Sequence, residues 1–151
     1  MNTAHIWEAG MVYVKTVVDI EHEPFLILDE KLHVIAGNDM YYKTFKLTQK
    51  QVDGKSIYKL GKGEWNIASL RNKLEGVAVN GTFLKGFEVT LDFKNIGRRT
   101  MMVNARRIYA GPMSVSLKSI SPMILFAMED ITEMISVAEQ LTSHVTTFEG
   151  L

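Results

Sequence analysis

The sequence has no cysteine, only three prolines and no long apolar run. Without cysteine, disulfides, thiolate metal sites and thiolate catalysis are all excluded. No window approaches the roughly 18 apolar residues that span a bilayer, and the N-terminus lacks the basic start of a signal peptide. Because Lys plus Arg and Asp plus Glu number 17 each, no net charge draws the chain to nucleic acid. We therefore expect a cytoplasmic protein with no membrane span and no nucleic-acid partner.

The composition is that of one globular domain. Of the 151 residues, 46% are hydrophobic and 23% are charged, which is enough to bury a core. The four histidines lie far apart without the spacing of metal ligands, so no metal site is predicted.

Three successive segments in the second half of the chain have the pattern of strands. Apolar residues alternate with polar ones in Thr82–Phe93, where Phe83, Phe87 and Val89 share the predicted apolar face. In Gly97–Ile108, Met101, Val103 and Ala105 share one face, and the polar face includes Asn104. Residues Pro122–Glu129 form a nearly continuous apolar run, and 109–122 are predicted to be a loop. The three segments predict an antiparallel meander.

The first half of the chain predicts two short strands followed by short helices. Strands are expected at Phe25–Leu28 and Leu32–Ala36. Asn38 is placed to cap a helix at Asp39–Phe45, and Thr48 with Gln51 has the form of a capping box. A short helix at Ser56–Leu60 and a longer one at Asn66–Val77 follow; in the longer one Asn66 is the predicted N-cap and the buried stripe is Ile67, Leu70 and Leu74.

A helix is predicted at each end of the chain. Residues from about Thr3 to Ile20 have a wide apolar face at helical spacing. At the other end, Asp130 and Glu133 have the spacing of a capping box. Beyond them runs a heptad pattern that predicts a dimer seam, formed by Met134, Ala138, Leu141 and Val145. The alternative is that this helix packs back on its own domain.

The order of these elements, together with specific motifs, resembles the PAS sensor domain over about residues 24–133. The motifs are Asp29 after the first strand, Asn38 at the first small helix, Asp53–Gly54, and the sequence Asp130-Ile131-Thr132 where the last strand ends. Two stretches, LGKGEWNIASLRNKL (60–74) and GRRTMMVNARRI (97–108), are similar to a subgroup found in bacterial and archaeal histidine kinases and chemotaxis methyltransferase-type fusions. The loop 109–122 is longer and less polar than is usual in that subgroup.

The resemblance implies an α+β fold: a five-stranded antiparallel sheet with short helices on one face, flanked by an N-terminal amphipathic helix and a C-terminal coiled-coil-like helix. The expected divisions are residues 1–22, the sensor domain 23–133 and the signalling helix 134–151. The implied function is a sensor that binds a small ligand or partner and passes the change to its flanking helices, in a two-component-type pathway with a histidine kinase or another signalling protein. The implied signal junction is Asp130, Ile131, Thr132 and Glu133.

The resemblance also implies where a ligand would bind, between the sheet and the longer helix. The candidate lining residues are Trp65, Leu70, Leu74, Phe87, Val89, Met101, Val103, Asn104 and Phe126. The alternative is that side chains fill this interior. Haem-binding PAS domains commonly take their iron ligand from a histidine of the longer helix, which has none here, so haem is disfavoured, although His33 stays open as a ligand. The flavin adduct of light-sensing PAS domains needs a cysteine, which is absent, so that chemistry is disfavoured too. The cofactor is otherwise unknown.

Three classes of function follow. The first is the sensor, which we expect to be a homodimer. The second is a ligand-free PAS dimerisation or adaptor module. The third and weakest is a small α+β enzyme of the ketosteroid-isomerase or thioesterase type, although no acid stands out in an apolar pocket. No kinase catalytic module is encoded in the sequence, so we do not expect an enzyme.

Overall fold

A computed structural model describes residues 23–108 and 122–149, with side chains described as far as Thr142. The predicted helix at Thr3–Ile20 and the loop 109–121 lie outside the described residues. The strands are β1 (Phe25–Leu28), β2 (Val34–Gly37), β3 (Leu84–Phe93), β4 (Gly97–Ile108) and β5 (Met123–Asp130). The helices are α1 (Asp39–Phe45), α2 (Gln49–Val52), α3 (Ala68–Glu75) and α4 (Thr132–Glu149), with a 3₁₀ turn at Ile57–Lys59 and a π-helical turn at Gly76–Asn80 after α3.

The five strands form one antiparallel sheet in the order β2-β1-β5-β4-β3. The last strand in sequence therefore lies in the middle, where Phe126 is aligned with Leu26 on one side and with Ala105 on the other. The predicted fold is confirmed: an antiparallel sheet with short helices on one face. None of the helices within the described ranges is both long and apolar enough to cross a bilayer.

The main core lies between the sheet and the segment that connects β2 to β3. Buried residues of α1, α2 and α3 form one cluster with alternate residues of all five strands. The predicted β4 face is confirmed, because Met101, Val103 and Ala105 are all buried. Residues at the intervening positions of the strands point to the opposite side, which we call the outer face.

Two of the predicted helix caps are confirmed. Asn38 begins α1 and its side chain accepts a hydrogen bond from the N–H of Tyr41. Thr48 and Gln51 form the predicted capping box at α2. In both motifs the capping hydrogen bond joins residues three apart in sequence, so a local pattern is enough to predict the cap.

Three predicted positions were wrong. β2 begins at Val34 and not at Leu32, because Leu32 has a left-handed backbone (φ 65°) in the turn after β1. α3 begins at Ala68 with Ile67 as the N-cap residue, so Asn66 does not cap it. Phe83 is 79% exposed rather than on the apolar face, because a β-bulge between Leu84 and Phe87 reverses the alternation. Gly86 supplies the positive φ of 66° within that bulge.

Candidate functional site

The structure brings most of the predicted pocket residues together. Trp65, from the loop before α3, and Leu70 and Leu74, from α3 itself, belong to the main core. They face the sheet residues Val89, Met101, Val103 and Phe126, which belong to the same core. Phe87 is half-buried and packs against the edge of this cluster.

This interior is filled by side chains. A residue beside a void large enough for water has surface that water can touch, yet Leu70, Leu74, Met101, Val103 and Phe126 are all 0% exposed. Dense packing of this kind is typical of protein cores. A ligand, haem or flavin ring at this position would have to displace these side chains.

Aromatic rings account for much of the filling. The Trp65 ring lies edge-on to Phe93 and Phe126, with centroid distances of 5.2 Å to each, and 6.1 Å from Phe45. Tyr41 stacks at 4.5 Å on Phe45 and accepts a hydrogen bond from the Trp65 indole. Burial raises the pKa of the Tyr41 phenol well above its ordinary value. Sequence reasoning missed Tyr41, Phe45 and Phe93, although the spacing of Tyr41 and Phe45 places them on one helix face.

Asn104 does not belong to this interior. It lies on the outer face of β4, where it is exposed and its Oδ1 accepts a hydrogen bond of 2.8 Å from the N–H of Gly86. Its inclusion among the lining residues was wrong, because residues 101, 103 and 105 point inward and position 104 must then point outward.

The predicted junction between β5 and α4 is a hydrogen-bonded connection. Thr132 begins α4, and its hydroxyl accepts the N–H of Thr100 at 2.8 Å and donates to Asp130 Oδ1 at 2.6 Å. The N–H of Ile131 donates to Thr100 O at 2.9 Å, and Ile131 is buried. The first turn of α4 is therefore hydrogen-bonded to the neighbouring strand β4, in addition to following β5 directly in the chain.

Asp130 caps the helix differently from the prediction. Its Oδ1 accepts the N–H of Thr132, two residues along, whereas a capping box would use the N–H of Glu133. Its Oδ2 lies 3.5 Å from the Arg99 guanidinium. Glu133 itself is exposed. Asp130, Thr132 and Thr100 therefore form the junction, and Thr100 is the member that sequence reasoning missed.

Helix α4 is exposed after its first turn as far as Thr142, where the described side chains end. All residues from Ser136 to Thr142 are exposed, including the predicted seam residues Ala138 and Leu141. Met134 is 61% and Leu141 is 62% exposed. The side chain of Val145 lies outside the described residues. The alternative in which this helix packs back on its own domain does not hold for Ser136 to Thr142.

The sequence predicts no metal site but leaves His33 open as a haem ligand. His33 is exposed, and its Nδ1 lies 3.9 Å from Asp29 Oδ1. Within residues 23–108 and 122–142, no three His, Asp or Glu side chains are close enough to hold a metal ion. His33 also lies on the outside, away from the Trp65 cluster, so it does not face that interior.

The outer face has a groove that sequence reasoning did not predict. It encloses about 340 Å³ and is lined by residues of β3, β4 and β5 and the residue before β3: Phe83, Leu84, Lys85, Asn104, Ala105, Arg106, Leu125 and Ala127. We call it the outer groove. Only the bulge in β3 and the pairing of three strands bring these residues together, so no local pattern indicates it.

Comparison with known proteins gives structural relatives but no sequence relatives. No family model matches the sequence, and no curated protein matches it. The PAS domain of BvgS from Bordetella pertussis is 16% identical with a TM-score of 0.57, covering 91% of this chain and 97% of that one. The PAS domain of the fruit-fly ELK potassium channel is 17% identical with a TM-score of 0.63, covering 81% and 97%.

A third similar structure is the LOV protein of Rhodobacter sphaeroides. It is 12% identical with a TM-score of 0.64, covering 82% of this chain and 68% of that one. The strand order, the short helices on one face and these similar structures agree. The chain has the PAS fold.

Proposed function

We propose that this chain is a signalling module in which a change in the sheet is passed to helix α4, and that its output runs through a two-component-type pathway. The proposal rests on one contact where α4 begins: the N–H of Thr100 on β4 donates a hydrogen bond to the hydroxyl of Thr132. The similarity to PAS domains of known structure supports it. The pathway rests on the resemblance of residues 60–74 and 97–108 to kinase-associated PAS domains.

A line of contacts crosses the sheet to the helix. The hydroxyls of Thr90 on β3 and Thr100 on β4 are 2.8 Å apart, and the backbone of Thr100 bonds to Thr132 and Ile131. A change in the twist between β3 and β4 would therefore move the first turn of α4. Because residues 136–142 of that helix are exposed, this part of the helix is free to follow.

The proposed output state is a homodimer through α4. Met134 and Leu141 would expose large apolar side chains in an isolated chain, and heptad positions of this kind are covered by a second helix in coiled coils. A two-fold dimer of this type covers the same face on both copies. The histidine kinase or other effector would then contact the dimer beyond Leu141.

The dimer is tested with two double variants of α4 that add the same charge, one on the predicted seam and the other away from it. Met134→Asp with Leu141→Asp places two charges on the seam, and Ser136→Asp with Gln140→Asp places two charges off it, at exposed positions of the same helix. Light scattering should show that the seam pair weakens self-association while the control pair does not. A wild-type chain that is monomeric at all concentrations, or equal effects of both pairs, would contradict the proposal.

A second candidate is a ligand-free dimerisation or adaptor module. The filled interior favours it, because the space where the resemblance places a ligand is occupied by Trp65 and its neighbours. Mass spectrometry and absorbance of the purified protein separate the two: a co-purifying small molecule supports the ligand-binding sensor, and its consistent absence supports the adaptor. Both candidates are non-catalytic.

A further inference from the structure

The largest ring of the filled interior comes from a loop rather than from a helix or a strand. Trp65 is 1% exposed and lies within residues 60–67, between the 3₁₀ turn and α3. Gly61 and Gly63 of this loop have positive φ values of 59° and 85°, which glycine adopts without strain. The loop thus has two glycine positions at which its backbone can change direction.

The turn between β3 and β4 holds this loop against the core. Glu64 Oε1 accepts the N–H of Lys94 in that turn at 2.9 Å. Lys62 Nζ lies 3.3 Å from Asp92 Oδ2, near the end of β3. We call these two contacts the clasp. Both are exposed, so water and salt compete with them, and the clasp can open while the sheet stays folded.

The turn itself is fixed independently of the clasp. Asn95 Nδ2 donates a hydrogen bond of 2.7 Å to Lys46 O, at the end of α1. The turn also joins two paired strands, in which Phe93 is aligned with Gly97. When the clasp opens, the loop at residues 60–67 is therefore the part that moves.

A small cavity lies beside the clasp, against the Trp65 ring. Its volume is about 10 Å³, which is about the space that one water molecule needs. Trp65 and Phe93 line it from the core, and Glu64 and Lys94 line it at the clasp. The packing around Trp65 therefore has a gap on the side from which the ring would leave.

The place of the Trp65 ring has the chemistry of a site for a flat aromatic group. Phe93 and Phe126 lie edge-on to the ring at centroid distances of 5.2 Å, and the Tyr41 hydroxyl accepts the indole N–H. The described members of the surrounding core cluster include no charged residue. A charged compound would lose its hydration in this place without gaining a partner.

We propose that Trp65 is a removable plug: when the clasp opens, the loop turns outward at Gly61 and Gly63, and an uncharged aromatic compound of about indole size replaces the ring. The proposal rests on the ligand-binding form of the proposed function, and it gives a route by which a filled interior can take a ligand. The open form without a compound contains a large cavity, so it is rarely populated. A compound that restores the contacts of the ring selects that form.

The fluorescence of Trp65 reports whether the ring leaves the interior. The sequence has two tryptophans, so in Trp7→Phe all tryptophan fluorescence comes from Trp65. Acrylamide quenches this fluorescence in proportion to the contact of the ring with solvent. The full chain with Trp7→Phe is therefore the reference protein.

Two double variants of the reference protein test the clasp. Lys62→Ala with Glu64→Ala removes both of its contacts. Lys50→Ala with Glu88→Ala removes the same charges at exposed positions away from the clasp. The clasp pair should raise the quenching of Trp65 by acrylamide severalfold, and the control pair should leave it unchanged. Equal quenching in the two proteins would overturn the proposal.

Calorimetry with indole tests the site that the ring vacates. Trp65→Gly should bind indole and should not bind indole-3-acetate, because the site has no partner for a carboxylate. If this variant does not fold, the clasp pair and the control pair decide, and the clasp pair should bind indole several times more tightly. A folded Trp65→Gly variant that does not bind indole, or equal binding of indole by the two pairs, would overturn the proposal.

Hydrogen exchange in α4 separates the failure of this proposal from the failure of the signalling function. It is measured with and without indole on the variant that binds indole. A change within residues 131–141 supports both the plug and the signalling function. Binding of indole without any change there supports the plug and contradicts the signalling function. Absence of binding overturns the plug alone, because the dimer through α4 is tested without a ligand.

Discussion

The chain turns from strand to helix at two comparable places, and the polar side chain at the turn is buried in one and partly exposed in the other. At the entry turn, between β2 and α1, Asn38 is 1% exposed and accepts the N–H groups of Phe25 and Tyr41, at 2.9 and 3.0 Å. Its Nδ2 donates to Glu23 O at 2.8 Å. At the exit turn, between β5 and α4, the Asp130 side chain is 29% exposed.

The difference indicates which turn can respond to its surroundings. A buried neutral amide with bonds to three backbone groups has no competitor for those bonds, and losing it leaves them unsatisfied. A partly exposed carboxylate can exchange its bonds with water, ions or a partner. We therefore expect the entry turn to hold the fold and the exit turn to be adjustable, which is what a signalling role through α4 requires.

The largest effect should come from breaking the entry turn. Asn38→Ala leaves two N–H groups and one carbonyl without this partner in a buried place, so we expect a loss of about 2–4 kcal/mol of unfolding free energy. Thr48→Ala removes an exposed cap and serves as the control, with an expected loss of about 0.5–1 kcal/mol. Urea unfolding measures both. Equal losses would show that burial does not distinguish the two caps.

A smaller effect is expected from Tyr42, which supports the entry turn. Its hydroxyl accepts the N–H of Gly37 at 3.0 Å and donates to Asp53 at 2.6 Å. Tyr42→Phe should cost about 1–2 kcal/mol at neutral pH, as measured by urea unfolding.

The same variant should change the response to alkaline pH. Burial, and then the bond to Asp53, raise the pKa of Tyr42 above its ordinary value. The folded chain then keeps a proton that the unfolded chain releases above about pH 10, so stability falls as the pH rises through that region. Tyr42→Phe removes this contribution and should flatten the fall, because Tyr41 is retained in both proteins. Parallel curves for the two proteins would contradict this origin of the pH dependence.

Breaking the exit turn should lower the unfolding free energy less, but its effect on hydrogen exchange should extend further along the chain. Asp130→Ala should cost about 0.5–1 kcal/mol, because a partly exposed cap is lost. Hydrogen exchange decides what the loss means. A change that extends to Leu141–Phe148, with the sheet's protection retained, supports transmission along α4. A change confined to Ile131–Val137 indicates simple capping, and an equal fall across the sheet would make Asp130 a residue of the fold alone.

The smallest effect is expected from the Arg99 ion pair at the exit turn. The guanidinium lies 3.5 Å from Asp130, and both side chains are partly exposed. Arg99→Gln should change the unfolding free energy by less than about 0.5 kcal/mol, and by less still in high salt. A loss above about 1 kcal/mol that salt does not reduce would show that the exit turn is as rigid as the entry turn.

Sequence reasoning succeeded where the determining contacts are local. The cap at Asn38 and the capping box at Thr48 involve residues three positions apart, and the inward face of β4 follows from simple alternation. Other predictions failed because distant residues decide them. The position of Phe83 depends on a bulge fixed by the bond between Gly86 and Asn104, from the neighbouring strand.

The end of α3 illustrates the same limit. Arg107 on β4 binds the end of the π-helical turn Gly76–Asn80. The Nη2 of Arg107 donates hydrogen bonds to Ala78 O and, at 3.1 Å, to Val79 O. A sequence window around α3 does not contain Arg107. The filled interior could be only half predicted. Its apolar residues were recognised, but their packing around Trp65 depends on rings from three separate elements.

The bulge in β3 also bears on whether the protein stays soluble at high concentration. β3 is a ten-residue strand at one side of the sheet, and a long flat strand in that place can recruit strands of other molecules into fibrils. Here β3 carries a bulge, a feature that bends strands, and Lys85 adds an exposed charge. The small irregularity that misled the alternation pattern is therefore a barrier against aggregation along this border.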